Sequence, residues 1–193
     1  MSEKSPEMRR KPDRRVQRTR DVLGDALITL MHEKAFDDIT VQDVLDLAGV
    51  SRSTFYAHFR DKDDLFLSDA DEFFEHMANV LTMCGDTSRR VAPVREMFEH
   101  VASLGTLYDS MVASGNFQDA MELAQEHFAR GIERRLNQLC PAPASFSRVA
   151  QAYAFAGAMF SLMRWWLDHG KPASPAQMDE DFHRMVWAGV GGK

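Results

Sequence analysis

Residues 51–58, SRSTFYAH, concentrate side chains that can form several hydrogen bonds each. On a helix, Phe55 and Phe59 would share one inward face, because they lie four residues apart. The polar residues left on the outer face are Ser51, Arg52, Ser53, Thr54, Tyr56 and His58. An arginine can donate two parallel bonds to guanine or hold a phosphate, and small hydroxyl residues allow close approach of the backbone. The pattern therefore indicates hydrogen-bonded recognition of a nucleic acid.

The residues before this stretch predict a second short helix that would position it. Thr40 is typical of an N-cap, and Asp43 three residues later completes an approximate capping box. Val41, Val44, Leu45 and Ala48 would form one apolar face of this helix. Gly49 would end it, and Ser51 would cap the next. Helix, tight turn and helix form the helix-turn-helix unit, whose second helix enters the major groove, although any helical corner can mimic the pattern.

The charge distribution also favours a polyanionic partner, despite a net charge of −6. Between Arg9 and Arg20 there are seven basic residues, and Asp13 is the only acid. Such a cluster provides an electrostatic footprint for phosphate. The alternative is a solvated tail, and we expect residues 1–13 to form a disordered basic arm.

The remainder of the chain predicts an all-α protein. Asp61 would cap a long helix from about Lys62 to Met83, and further helices are expected over 93–114, 118–139, 146–169 and 176–188. Residues 153–167 are apolar almost all round, so their helix must be buried on more than one side. We interpret this helix as part of a subunit interface. Its candidate interface residues are Ala154, Gly157, Ala158, Ser161 and Trp165.

Aromatic and methionine side chains between the body helices are candidates for a ligand pocket. The candidates are Phe98, Tyr108, Met111, Phe117, Met121, Phe128, Phe155 and Met159. Methionine suits an adaptable cavity, but each of these residues can equally serve ordinary core packing. With few fixed charges among them, the composition favours a small apolar or aromatic effector.

Several classes of site lack any sequence support. No apolar run approaches 18 residues, so no membrane span is expected. Cys84 and Cys140 have no metal-ligand spacing, and His100, His127 and His169 are scattered, so we assign neither metal nor cofactor. Two free thiols suit a reducing cytoplasm. Nucleophile-elbow and phosphate-loop motifs are missing, so the sequence does not favour an enzyme.

Residues from about 14 to 66 resemble the N-terminal domain of TetR/AcrR-family transcriptional regulators. The resemblance rests on the whole of ITVQDVLDLAGVSRSTFYAHFRDKDDLF, residues 39–66. It implies a three-helix DNA-binding head, a long fourth helix joining head to body, and a homodimer that represses transcription until a small molecule binds. By position, the resemblance implies phosphate contacts for Thr40, Tyr56 and Lys62. It implies base reading for Arg52, Ser53 and Thr54.

These expectations divide the chain into the arm, a DNA-binding domain over 14–60, and a ligand-binding and dimerisation domain over 61–193. The leading hypothesis is a homodimeric repressor that binds a palindromic double-stranded operator and is released by an effector. One alternative is a regulator of the same fold that answers to a protein partner or to no ligand. Another is an all-α enzyme or carrier with an incidental helix-turn-helix.

Overall fold

The computed structural model describes residues 14–141 and 146–190. Its helices are α1 (Arg14–Glu33), α2 (Val41–Ala48), α3 (Arg52–Tyr56), α4 (Lys62–Met83), α5 (Val94–Leu104), α6 (Thr106–Ala113), α7 (Phe117–Leu139), α8 (Phe146–Asp168) and α9 (Pro175–Gly189). A short 3-10 helix, Phe36–Asp38, precedes α2. No strand occurs in these two ranges, and the all-α prediction is confirmed there. The predicted arm, residues 1–13, lies outside them.

The chain packs as two compact units, one ending at Phe66 and the other beginning at Leu67. The first unit is organised by the local signals that the sequence contains. Thr40 and Asp43 form both bonds of the capping box, and Gly49 ends α2 in the left-handed conformation with φ 65°. The backbone N–H of Asp64 donates to Asp61 Oδ1 at 2.8 Å, which confirms Asp61 as the cap of α4.

Apolar side chains of the first unit meet in one core. These fully or almost fully buried residues are Leu23, Leu27, Met31, Phe36, Ile39, Val44, Leu45, Phe55, Phe59, Leu65 and Phe66. They come from every helix of the unit, and the 8-residue α2 and the 5-residue α3 are too short to be stable without this tertiary packing. Packing alone defines these two units. The assignment of DNA binding to residues 14–60 and of ligand binding and dimerisation to residues 61–193 therefore stays a prediction.

In the second unit, α7 packs along α8 and α5 packs along α9. Phe98 and Trp166 are fully buried, with ring centroids 5.0 Å apart. The indole Nε1 of Trp166 donates to the carbonyl of Ala173 at 2.7 Å, so the buried ring has a partner for its polar atom. Within the described residues, no helix has both the length and the hydropathy required to cross a bilayer.

One helix predicted from the sequence is two helices in the structure. The apolar face over residues 93–114 predicts a continuous helix, but Gly105 separates α5 from α6 with φ 56° and ψ −128°. Glycine alone adopts this conformation without strain, because it has no Cβ. A single glycine inside a periodic segment is too weak a signal to predict the break.

A partly buried ion cluster ties the loop before α5 to α9. Arg90 pairs with Glu96 through Nη1 at 2.9 Å and with Asp179 through Nη2 at 2.8 Å. His183 Nε2 accepts a bond from the backbone N–H of Val91 at 2.9 Å. Burial opposes ionisation of Asp179, but hydrogen bonds from His183 and Arg90 outweigh it and lower the pKa of this carboxyl to about 2.

Helices α4 and α7 approach closely at one glycine of the second unit. A Cβ built on Gly131 would lie 2.6 Å from the carbonyl oxygen of Ala78 in α4. On one side of this point His127 contacts Asp71 at 2.6 Å, and on the other Arg134 donates to Asn79. The close approach therefore requires glycine at residue 131.

We expect Gly131→Ala to destabilise the protein, although alanine favours helices. The overpacked contact is with backbone that cannot easily move, so its cost should lie toward the upper end of about 1–3 kcal/mol and outweigh the roughly 1 kcal/mol of helix propensity gained. Urea unfolding of the full chain measures the difference.

The control is Gly115→Ala in the turn before α7, where a Cβ meets no atom within 4 Å. This variant should be neutral or slightly stabilised. Equal stability of Gly131→Ala and wild type would show that α4 and α7 do not approach as closely as described.

Candidate nucleic-acid interface

Two buried aromatic rings anchor helix α3 to the core of the first unit. Phe55 is fully buried and Phe59 is 3% exposed, with ring centroids 5.8 Å apart, as the sequence predicts. The guanidinium of Arg20 in α1 lies 4.9 Å from the centroid of the Phe59 ring. The opposite face of this five-residue helix is therefore the face presented to solvent.

The structure brings the predicted hydroxyl residues together at the start of α3. Ser51 Oγ lies 3.1 Å from Ser53 Oγ and 2.8 Å from Thr54 Oγ1. Ser51 Oγ also accepts the backbone N–H of Thr54 at 3.3 Å, which confirms Ser51 as the N-cap. Each hydroxyl can both donate and accept, so this cluster can reorganise its bonds to meet a new partner.

Arg52 has a partner that sequence reasoning missed. Its Nη2 donates to Gln42 Oε1 at 3.0 Å, and Gln42 Nε2 donates to Asp46 Oδ1 at 2.7 Å. Only the second bond has a sequence signal, since Gln42 and Asp46 are four residues apart on α2. The first depends on how α2 and α3 pack.

Tyr56 and His58 differ in exposure. Tyr56 is 51% exposed, and its ring packs edge-on against Phe55 with centroids 5.3 Å apart. His58 is half-buried, with its ring 6.3 Å from that of Phe59. Tyr56 therefore combines an anchored ring with a large solvent-facing surface.

Thr40 and Lys34 both donate hydrogen bonds to the carboxylate of Asp43 at the start of α2. Asp43 Oδ2 accepts bonds from the Thr40 backbone N–H at 2.8 Å and from Lys34 Nζ at 2.8 Å. The Lys34 hydrogen bond, followed by those from Thr40, holds the pKa of Asp43 well below its usual value. Thr40 is exposed, and its Oγ1 donates to the same carboxylate at 2.7 Å.

Lys62, the expected phosphate anchor, is engaged inside the first unit. Its Nζ donates to the carbonyls of Phe36 at 2.6 Å and Asp37 at 3.2 Å, and lies 4.5 Å from the centroid of the Phe36 ring. The ammonium therefore joins the start of α4 to the 3-10 helix before α2. A contact across 26 residues of sequence leaves no local signal.

The candidate pocket residues fall into two groups. Phe98, Phe128 and Met159 are fully buried, and the Phe128 ring lies 5.3 Å from that of Phe160, so these three serve core packing. The half-buried group is Tyr108, Met111, Phe117, Met121 and Phe155. Within it, the rings of Tyr108 and Phe117 meet edge-on at 6.0 Å, where α6 joins α7.

The candidate interface residues of α8 are largely exposed in the single chain. Trp165 is 46% exposed, while Ala154, Ala158 and Ser161 are also exposed and Gly157 is half-buried. The buried face of the same helix includes Ala156 and Trp166. Among the described residues, no group of three or more His, Cys, Asp or Glu side chains is arranged to hold a metal ion.

Known proteins resemble part of the chain in sequence. Residues 23–68 match the family model described as bacterial regulatory proteins, tetR family. A curated relative, the uncharacterized HTH-type transcriptional regulator YwcC of Bacillus subtilis (strain 168), is 42% identical over 43 residues. That match covers 22% of this chain and 19% of YwcC, so the chain spans about a fifth of the curated relative.

Solved structures resemble most of the chain. The dihydroxyacetone kinase operon activator DhaS gives a TM-score of 0.65 at 18% identity, covering 89% of this chain and 96% of DhaS. RolR in complex with its ligand resorcinol gives a TM-score of 0.61 at 17% identity, covering 89% of each chain. At these identities, the likeness establishes the fold.

We expect Lys62→Met to weaken the first unit, because methionine keeps the contact with Phe36 but leaves two carbonyls without their charged donor. The expected loss is about 1–2 kcal/mol. Thermal unfolding and hydrogen exchange of the α2 and α3 amides measure it. The salt dependence of any DNA binding should stay as in wild type.

The control is Arg14→Met, which removes an exposed cation at the start of α1. This change should preserve stability and reduce the slope of log affinity against log salt by about one. If Lys62→Met instead behaved like this control, the phosphate-anchor expectation would be correct and the tether unimportant.

Proposed function

We propose that the chain, whose residues 23–68 match the family model of tetR-family bacterial regulatory proteins, is a sequence-specific DNA-binding transcriptional regulator. The observation that carries the proposal is α3, whose buried aromatic face fixes a polar face in solvent. A helix presented in this way can enter the major groove. The named proteins that it resembles are transcription regulators rather than enzymes.

On this proposal, Arg52, Ser53 and Thr54 face base edges, while Thr40 and Tyr56 contact phosphates. Arginine fits guanine O6 and N7 through two parallel N–H donors. Thr40 and Tyr56 are exposed at positions that flank α3, with Tyr56 fixed by its contact with Phe55. The basic residues near the N-terminus, including exposed Arg14, Arg15 and Arg18, would add sequence-independent affinity. Such a protein would act in the cytoplasm, where operator DNA is found.

We further propose that two copies associate through α8 and bind a palindrome. The exposed face of α8 carries Tyr153, Trp165 and several small residues, and Met185 of α9 is 51% exposed. Apolar residues in such a set are a liability unless they are covered. A second copy of the chain would cover these residues and would also supply the second recognition helix that a palindromic site requires.

The regulatory step that we propose is release by a small apolar or aromatic effector. The half-buried residues Tyr108, Met111, Phe117 and Met121 lie on α6, which follows the break at Gly105, and on the first part of α7. Helix α7 contacts α4 near Ala78, and α4 begins at Lys62. A shift of α7 would therefore act on the helix that follows the DNA-binding residues. RolR, which has a similar fold, was solved with the aromatic ligand resorcinol.

Selection from random duplex DNA tests the main proposal. The full chain should enrich a palindrome whose half-sites are about 34 Å apart, one turn of B-DNA, or a multiple of that distance. Arg52→Ala should alter the preferred base at one position of each half-site. Enrichment of no sequence would contradict the proposed function.

The same assay examines the dimer with Ala158→Arg. An arginine on the exposed face of α8 should give monomers in sedimentation and remove binding to the palindrome. Ala113→Arg, at the exposed end of α6, is the matched control and should leave both unchanged. A wild-type chain that stayed monomeric at micromolar concentration would rule out this interface.

Aromatic compounds titrated into the operator complex examine the effector. A true effector should lower DNA affinity by roughly 5- to 150-fold, corresponding to a coupling of about 1–3 kcal/mol. Linkage then requires the operator to weaken effector binding by the same factor. A compound that released DNA yet bound equally well with and without operator would contradict this mechanism. If no compound acts, control by a protein partner becomes the favoured alternative.

A further inference from the structure

Three exposed side chains form a continuous hydrogen-bonded relay from α2 to α3. Asp46 Oδ1 accepts from Gln42 Nε2 at 2.7 Å, and Gln42 Oε1 accepts from Arg52 Nη2 at 3.0 Å. The carboxylate only accepts and the guanidinium only donates, so just one orientation of the Gln42 amide satisfies both. Asp46 therefore fixes the amide, and the amide fixes the direction of Arg52.

The relay leaves Arg52 able to recognise a base. Its bond to Gln42 uses one of five N–H donors. The remaining donors still include a parallel pair of the kind that matches guanine O6 and N7. A long arginine side chain normally loses much rotamer freedom on binding, and prior fixation reduces that loss. The relay thus orients the Arg52 guanidinium and leaves a parallel pair of its N–H donors available for a base.

We infer that Gln42 and Asp46 are positioning residues that set the guanine preference of Arg52. This inference rests on the proposed function, because it concerns the same DNA-binding face. Neither residue needs to contact a base. The preference arises because a fixed guanidinium presents its donor pair in one direction, whereas a mobile one can reach phosphates and other acceptors nearby.

Removal of the Asp46 carboxylate should change DNA affinity and guanine preference in different ways. A carboxylate beside the DNA-binding face repels phosphate, so removing it should raise affinity for DNA of any sequence. On this inference the same removal also frees the Gln42 amide and lowers the preference for guanine. Affinity and selectivity should therefore change in opposite directions, whereas a purely electrostatic role would change affinity alone.

A direct base contact by Gln42 is the competing explanation. A glutamine can bind adenine through its amide, but it would then have to leave Arg52. In that case Gln42 and Arg52 would read different base pairs, and their substitutions would act independently. Non-additivity at one base pair therefore separates the two explanations.

The experiment is a double-mutant cycle in the full chain with the selected operator. Binding is compared between the operator and a version in which the guanine read by Arg52 is replaced by 7-deazaguanine, which lacks the N7 acceptor, or by adenine. Arg52→Ala should reduce the preference roughly 5- to 150-fold. Gln42→Ala should reduce it by about fivefold or more at the same position and have no further effect in the Arg52→Ala background.

Asp46→Ala should bind random DNA more tightly while losing part of the guanine preference. Asp46→Asn keeps an oxygen acceptor for Gln42 and should retain more of the preference than Asp46→Ala. Asp38→Ala, which removes an exposed carboxylate from the 3-10 helix, is the charge-matched control and should leave the preference unchanged. Thermal unfolding verifies that each variant is folded. If Asp46→Ala does not fold, Asp46→Asn is compared with wild type instead.

The outcomes separate this inference from the function on which it rests. A wild-type chain with no sequence preference would contradict the proposed function itself. A wild-type preference accompanied by additive effects of Gln42→Ala and Arg52→Ala, at separate base pairs, would overturn the relay alone. Asp46→Ala changing affinity exactly as Asp38→Ala does, with selectivity intact, would also overturn it.

Discussion

The burial of Phe55 and Phe59 is the constraint on which the proposed DNA-binding face depends. A five-residue helix gains too few backbone hydrogen bonds to be stable alone, so α3 exists because its aromatic side is packed in the core. That packing determines which residues point outward. Ser51 then fixes the start of the helix by capping it. The polar face is thus a consequence of apolar packing beneath it.

The electrostatic character of the first unit depends on which cations are already engaged. Lys34 is paired with Asp43, Arg60 with Asp64, and Lys62 with two backbone carbonyls. Counting charges would assign all three to a phosphate-binding surface. Their contacts serve the cap of α2 and the start of α4, so these cations have a structural role whether or not they also contact phosphate.

The sequence predicted features that depend on neighbouring residues, and missed those that depend on tertiary packing. The cap at Thr40, the turn at Gly49 and the inward aromatics follow from spacing within a few residues. The bond between Arg52 and Gln42 and the tether from Lys62 join segments whose relative position no local pattern encodes. For the same reason, the sequence could not separate buried Phe98 from half-buried Tyr108, since both lie on apolar helical faces.

Polar contacts in the two units differ in how easily they can be exchanged. The bond from Arg52 to Gln42 is exposed and uses one of the five N–H donors of the guanidinium, so a further acceptor can bind Arg52 without breaking it. The pair between Arg90 and Asp179 is partly buried, and removing one partner of a buried pair costs about 3–5 kcal/mol. A ligand that displaced it would have to supply equivalent bonds. The cluster around Arg90 is therefore better explained as a permanent connection between the loop and α9 than as an effector site. The half-buried residues of α6 and α7 form no such ion pairs in the contacts described above, so a ligand could bind there without replacing them.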